Sequence, residues 1–172
     1  MNQFYKIFLA INATSWVVVI FGIKKELTIA SLPTWISGII LLLVPMLLSG
    51  ISVLLTLPLS KDNFENCSEL EEVNHSFLPT YLGYFFVGLG IEKYKHLIFV
   101  YTIIFLFTYI AQTQYYNPIF LLFGYRFYNA KTSNGTKIFI ITRKSLRRAR
   151  EVSFKNLRRI NDTTYISWRE KE

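Results

Sequence analysis

The sequence predicts an all-α integral membrane helix bundle followed by a small cytoplasmic α+β domain, and three observations carry this prediction. First, 52% of the 172 residues are hydrophobic, a high share for a soluble chain. Second, the apolar residues lie in blocks close to the roughly 20 residues that a membrane-spanning helix needs. Third, the charge is uneven, with a net of −1 over residues 1–115 and +9 over residues 116–172.

Four apolar segments within residues 1–116 are expected to form the bundle: 4–23, 33–58, 77–91 and 97–115. The second is the clearest, because it has no charged residue and is bounded by Pro33 and Pro58, which suit a helix start and end. The third is the weakest, because it is short and contains Pro79. Four spans are preferred because segment 77–91 is too apolar to lie in water, and three spans are the alternative.

The composition of the spans restricts what the bundle does. None carries Asp, Glu, Lys or Arg near its midpoint, and such residues mark proton relays, ion paths and coupled transport. The sequence therefore argues against a pump, a voltage sensor or a secondary transporter. Gly83 and Gly88 do not form a GxxxG motif and indicate only a region of close helix packing.

The C-terminal domain, residues 117–172, is expected to stay in the cytoplasm, because Lys and Arg near a span favour that side. Asn134-Gly135 lies between two runs of strand-forming residues and predicts a β-hairpin over 125–142. A two-residue turn there places Ser133 opposite Thr136. Further on, Phe154, Leu157 and Ile160 are spaced like one face of a short helix, and residues 163–168 are typical of a strand.

An acidic segment at 61–75 separates the second and third apolar blocks. Its five Asp and Glu residues do not have the spacing of an EF-hand, and Cys67 with His75 is a weak basis for a metal site. We interpret the segment as a solvated loop. Docking on the basic C-terminal domain or on a partner is the alternative.

Basic residues of the C-terminal domain are the candidate site for a partner or an anion: Arg147, Arg148, Arg150, Lys155, Arg158 and Arg159. Anchoring to anionic lipid is the simplest role for such a cluster. Docking of an acidic protein and contact with nucleic-acid phosphates are the other two. Base reading is disfavoured, because no recognition motif is present.

Catalytic motifs are missing from the sequence. HExxH, CxxC, GxSxG, Walker A and the kinase set do not occur. The single cysteine excludes an intrachain disulfide and zinc held by several cysteines. We therefore expect no enzyme activity, no cofactor and no metal.

The most distinctive string joins the last span to the C-terminal domain: Asn117-Pro118-Ile119-Phe120-Leu121-Leu122-Phe123-Gly124-Tyr125-Arg126-Phe127-Tyr128. An Asn-Gly hairpin, a basic stretch and Arg159-Ile160-Asn161-Asp162 follow it. This organisation resembles the KwaA-like membrane subunits of the Kiwa anti-phage system. The resemblance covers most of the chain, and none of its motifs is enzymatic.

The resemblance implies a sensor and scaffold subunit in the inner (cytoplasmic) membrane. The bilayer, further copies of the chain and a soluble DNA-binding protein would be its partners, with a tetramer as one candidate assembly. The basic C-terminal domain would recruit the soluble partner, and direct contact with nucleic acid is left open. An oligomeric pore-forming effector is the alternative, since uncharged spans rich in small residues suit a hydrophobic gate.

Overall fold

The computed structural model describes residues 3–65, 67–112, 117–132, 135–149 and 152–168, and the chain divides into two compact units. The helical unit comprises Phe4–Ser52 and Phe77–Ile119. The sheet unit comprises Met1–Gln3, Val53–Ser76 and Phe120–Glu172. The acidic segment therefore belongs to the same unit as the basic final third of the chain.

The helical unit contains four helices: α1 (Gln3–Lys24), α2 (Thr34–Leu54), α3 (Leu78–Gly90) and α4 (Tyr94–Ala111). Three of the described helices, α1, α2 and α4, are long and apolar enough to cross a membrane. Helix α3 has 13 residues, which gives a length of about 20 Å. That length is shorter than a hydrocarbon layer of about 30 Å, so the structure gives three candidate spans where four were preferred.

Helix α1 is the centre of the helical unit. Its most apolar window is 61% buried, against 28% for α2 and 6% for α4. Gly88 of α3 lets that helix approach α1 closely, because a Cβ atom there would lie 2.9 Å from Cβ of Ile20. The side chains of α4 are exposed around most of its circumference, as expected for a helix whose surroundings are apolar.

A buried polar cluster ties α1 to α2 and to the start of α5 (Pro118–Leu122). The side-chain amides of Asn12 and Asn117 each donate to Ser49 Oγ at 3.0 Å. Ser49 Oγ donates in turn to the carbonyl of Pro45 at 2.8 Å, and Asn117 Oδ1 accepts the amide N–H of Ile119. The cluster is at most 1% exposed, and its hydrogen bonds offset the cost of burying amides among apolar helices.

The sheet unit contains six strands: β1 (Lys61–Glu65), β2 (Cys67–Glu72), β3 (Arg126–Thr132), β4 (Lys137–Thr142), β5 (Ser153–Arg159) and β6 (Thr164–Ser167). Their order is β1-β5-β6-β4-β3-β2. The β4–β6 pair is parallel and the others are antiparallel. A mixed sheet of this size makes the protein α+β, so the predicted all-α class is wrong.

The acidic segment forms β1 and β2 rather than a solvated loop. These strands lie at opposite edges of the sheet, yet a single residue separates them in sequence. The Cα atoms of Glu65 and Cys67 are therefore at most about 7 Å apart. The two edges converge there, and the sheet is curled into a partly closed barrel.

The predicted helical face at Phe154, Leu157 and Ile160 is wrong, because these residues belong to β5 or follow it. Phe154 pairs with Phe64, and Leu157 pairs with Asp62. Two residues of β5 therefore oppose one residue of β1, which is the arrangement of a β-bulge. The bulge turns residues three apart toward the same face, so it imitates helical spacing.

The hairpin expected over 125–142 is present as β3 and β4, with a register one residue away from the predicted one. Lys131 pairs with Lys137, and Tyr128 pairs with Ile140. The Gly135 N–H donates to the Thr132 carbonyl at 2.9 Å, and Gly135 has φ of +83°. The loop therefore has three residues with glycine in the left-handed region, a common alternative to the two-residue turn. Residues 133 and 134 lie outside the described residues.

One face of the curled sheet encloses the core of the unit. The core residues come from three strands, β3, β4 and β5, and from the connection between β4 and β5: Tyr128, Ala130, Ile138, Ile140, Leu146, Val152, Phe154 and Leu157. Phe64, Cys67 and Leu70 of the acidic strands pack against them. The acidic strands thus supply part of the core, while their carboxylates remain near the surface.

Candidate partner-binding surface

The connection between β4 and β5 presents the first two candidate cations. Leu146 is buried in the core, and its amide N–H donates to the Tyr128 hydroxyl at 3.1 Å. Arg147 and Arg148 follow this anchor and are both exposed. An apolar anchor with a fixed backbone thus places two guanidinium groups at the surface. Arg150, the third candidate in this segment, lies outside the described residues.

Strand β5 carries the other three candidates in different environments. Lys155 lies in the bulge and is exposed. Arg158 pairs with Ile166, and Arg159 pairs with Tyr165. Because successive residues of a strand point to opposite faces, Arg158 and Arg159 do not share one surface.

Both of these arginines make contacts within the sheet unit. Arg158 donates from Nη1 to the Leu59 carbonyl at 2.8 Å. Arg159 forms an ion pair with Asp162 at 3.0 Å and donates from Nε to the Asn161 carbonyl at 3.2 Å. Their guanidinium groups support the sheet. Arg147, Arg148 and Lys155 are exposed as well, and Arg147 and Lys155 also interact with other residues of the chain. The candidate surface centres on Arg147 and Arg148, because these two exposed arginines are adjacent and directly follow the buried Leu146.

Four more cations of the final third are engaged inside the unit. Lys131 pairs with Glu69 at 2.9 Å, and Arg126 lies 3.6 Å from Glu72. Arg143 lies over the Tyr125 ring at 4.6 Å, and Lys144 lies over the Phe154 ring at 5.3 Å. Much of the predicted positive charge is therefore paired with carboxylates of the acidic strand β2 or lies over aromatic rings.

Two titratable groups of the sheet unit have shifted pKa values. Burial raises the pKa of the Cys67 thiol, whose Sγ donates to the Ala149 carbonyl at 3.2 Å. Burial also raises the pKa of Tyr125, and the positive charge of Arg143 opposes part of that shift. Among the described residues, no group of three or more His, Cys, Asp or Glu is placed to hold a metal ion.

The sequence reasoning missed two features that shape the surface. One is the pairing of the acidic strand β2 with β3, which neutralises part of the positive charge. The signal in the sequence is the group of five carboxylates between apolar blocks, for which docking on the basic domain is the alternative interpretation. The other is the cluster of Asn12, Ser49 and Asn117. Its signal was an asparagine inside an apolar span, since polar side chains there usually find a partner.

Comparison with known proteins gives one match. A family described as "Anti-phage protein KwaA" matches residues 5–166, which is most of the chain. No curated protein and no solved structure matches it.

Proposed function

The chain belongs to the KwaA family of anti-phage proteins, and from this premise we propose that it is a non-enzymatic sensor and scaffold subunit of an inner-membrane defence complex. Three helices suited to a bilayer support a membrane location. The sheet unit supplies a soluble-type surface on the same chain. In this proposal the sheet unit lies in the cytoplasm and several copies assemble in the membrane.

The exposed cations Arg147 and Arg148 carry the proposal for partner recruitment. They follow a buried anchor, so their position is fixed by the core rather than by a mobile loop. Exposed guanidinium groups on a fixed backbone suit carboxylates of a protein partner or phosphates, which they bind bidentately. The soluble DNA-binding protein implied by the resemblance to KwaA-like subunits is the partner we propose.

The test is charge reversal at this pair with a matched control. The double variant R147E/R148E is compared with K61E/K137E, which changes the charge by the same amount at two other exposed lysines of the sheet unit. Both proteins should reach the membrane in normal amounts. R147E/R148E should lose co-purification of the soluble partner, because like charges then face each other at a cost of several kcal/mol. K61E/K137E should retain it.

Three outcomes would contradict the proposal. Normal recruitment by R147E/R148E would show that the arginine pair serves topology or lipid contact instead. Equal loss in both variants would point to net charge rather than to a surface. Depolarisation of cells by the unmodified chain expressed alone would favour the pore-forming effector, because a scaffold should be inert without its partner.

A further inference from the structure

A groove of about 500 Å³ lies within the helical unit, between α1, α2 and α3. Helix α1 contributes Trp16, Ile20 and Lys24 to its lining, and α3 contributes Tyr81, Phe85 and Leu89. Lys24 is the single charged residue among the described lining residues. The groove therefore excludes polar ligands along most of its length and accepts a charge at one end.

The length of the groove corresponds to one leaflet of a bilayer. Trp16 and Lys24 are eight residues apart on α1, which is about 12 Å along the helix axis. Leu78 and Leu89 are eleven residues apart on α3, which is about 16 Å. Half of a hydrocarbon layer of about 30 Å is about 15 Å. The groove thus reaches from the membrane boundary at Lys24 to the middle of the bilayer.

The mouth of the groove carries the ammonium group of Lys24. Lys24 is the last residue of α1, and its ammonium donates to the carbonyls of Leu89 and Ile91, the latter at 3.1 Å. An ammonium has three donors, so one N–H is left for a ligand. Lys25 is exposed beside it, and the exposed carboxylate of Glu26 follows. The preference for an anion is therefore expected to be modest.

We propose that the groove binds one acyl chain of an anionic phospholipid whose headgroup phosphate contacts Lys24. The inference depends on membrane association and not on recruitment of a soluble partner, so the two proposals can fail separately. A lipid held between α1 and α3 couples the packing of these helices to the composition of one leaflet.

Trp16 makes the proposal measurable, because bromine atoms on an acyl chain quench tryptophan fluorescence on contact. The full chain carrying W35F and W168F retains Trp16 alone and is reconstituted in phosphatidylcholine vesicles. Brominated phosphatidylglycerol is then added in increasing mole fraction. Quenching should saturate while the brominated lipid is still a minor component. The substitution K24Q should weaken this preference about fivefold, the effect of roughly one interfacial charge.

The matched control retains Trp35 alone through W16F and W168F. Trp35 lies on α2 with 69% exposure, so its quenching should rise in proportion to the mole fraction of brominated lipid. Proportional quenching of Trp16, or equal quenching by brominated phosphatidylcholine and phosphatidylglycerol, would overturn the proposal. So would the absence of quenching at every mole fraction, since the groove would then be filled by protein.

A second measurement avoids the tryptophan substitutions. The unmodified chain and K24Q are purified in a mild detergent, and the phosphatidylglycerol retained per chain is determined by mass spectrometry. The unmodified chain should retain about fivefold more than K24Q, in line with loss of one interfacial charge. Equal retention would refute binding at Lys24 even if partner recruitment proceeds normally.

Discussion

Substituting Gly88 with alanine tests whether α1 and α3 are packed as closely as the structure places them. The added Cβ would lie 2.9 Å from both Cβ and Cγ2 of Ile20 and 3.1 Å from the carbonyl oxygen of Val17. Cβ of Ile20 is fixed to its backbone and cannot rotate away, so the helices must separate. Overpacking of this kind costs about 1–3 kcal/mol.

Gly83 is the matched control, because it lies in the same helix and a Cβ there would meet no atom within 4 Å. Replacing glycine by alanine inside a helix gains about 1 kcal/mol of propensity. This gain is common to G88A and G83A and cancels in their difference. We therefore expect the free energy of unfolding of G88A to be about 1–3 kcal/mol below that of G83A.

The assay is unfolding in detergent micelles by titration with a denaturing detergent, followed by the circular dichroism of the helices. G83A should be at least as stable as the unmodified chain. Indistinguishable unfolding of G88A and G83A would refute the reasoning, because it would mean that α3 does not contact α1 at Gly88.

Three further predictions concern polar groups. S49A should lower the free energy of unfolding by about 1–3 kcal/mol in the same assay, because two buried asparagine amides lose their acceptor. S52A should change the free energy of unfolding little, because the Ser52 hydroxyl donates only to a carbonyl of its own helix. Equal effects of S49A and S52A would contradict a stabilising role for the cluster of Asn12, Ser49 and Asn117. Y81F should leave the protein as stable or more stable, because the buried Tyr81 hydroxyl has no hydrogen-bond partner among the described residues. Y84F should lower the free energy of unfolding by about 0.5–1.5 kcal/mol, because the Tyr84 hydroxyl is hydrogen-bonded at 2.8 Å. A larger loss of stability in Y81F than in Y84F would contradict the structure. Burial raises the pKa of Cys67, so its alkylation by iodoacetamide, followed by mass spectrometry, should begin at higher pH in the folded chain than in denaturant. The contribution of the thiol to stability should be present at neutral pH and decline as the pH rises. Alkylation profiles that coincide in the folded and denatured chain would contradict burial of the thiol.

The sequence predicts the apolar helices well, because lipid-compatible helices are specified locally. Blocks of apolar residues indicated α1, α2 and α4, and the bounds differ at the ends, where Pro33 precedes α2 and Pro58 lies beyond it. Segment 77–91 was also helical, but its length rather than its composition decides whether it crosses a bilayer. The close-packing region expected at Gly83 and Gly88 is real at Gly88 alone.

Most of the sheet could not be predicted from the sequence, because its strand pairing is non-local and two of its strands are irregular. The acidic strands pair with β5 and β3, which follow them in sequence after three helices, α3, α4 and α5. Bulges in β5 and β2 break the alternation of apolar and polar residues that identifies strands. For the candidate surface, the sequence identified cations, but it could not show that Arg158 and Arg159 are already held by Leu59 and Asp162.

The division of the sheet between two distant parts of the chain has a consequence for biosynthesis. Strands β1 and β2 emerge from the ribosome before α3 and α4, and their partners β3 to β6 come later. About 50 residues separate β2 from β3. At about 5–20 residues per second, translation therefore takes roughly 3–10 s to reach the strand that pairs with β2. During that interval Phe64 and Leu70 have no core to enter. Charged side chains protect unpaired strand edges from aggregation, so we expect Glu65, Glu69 and Glu71 to have this role in the nascent chain.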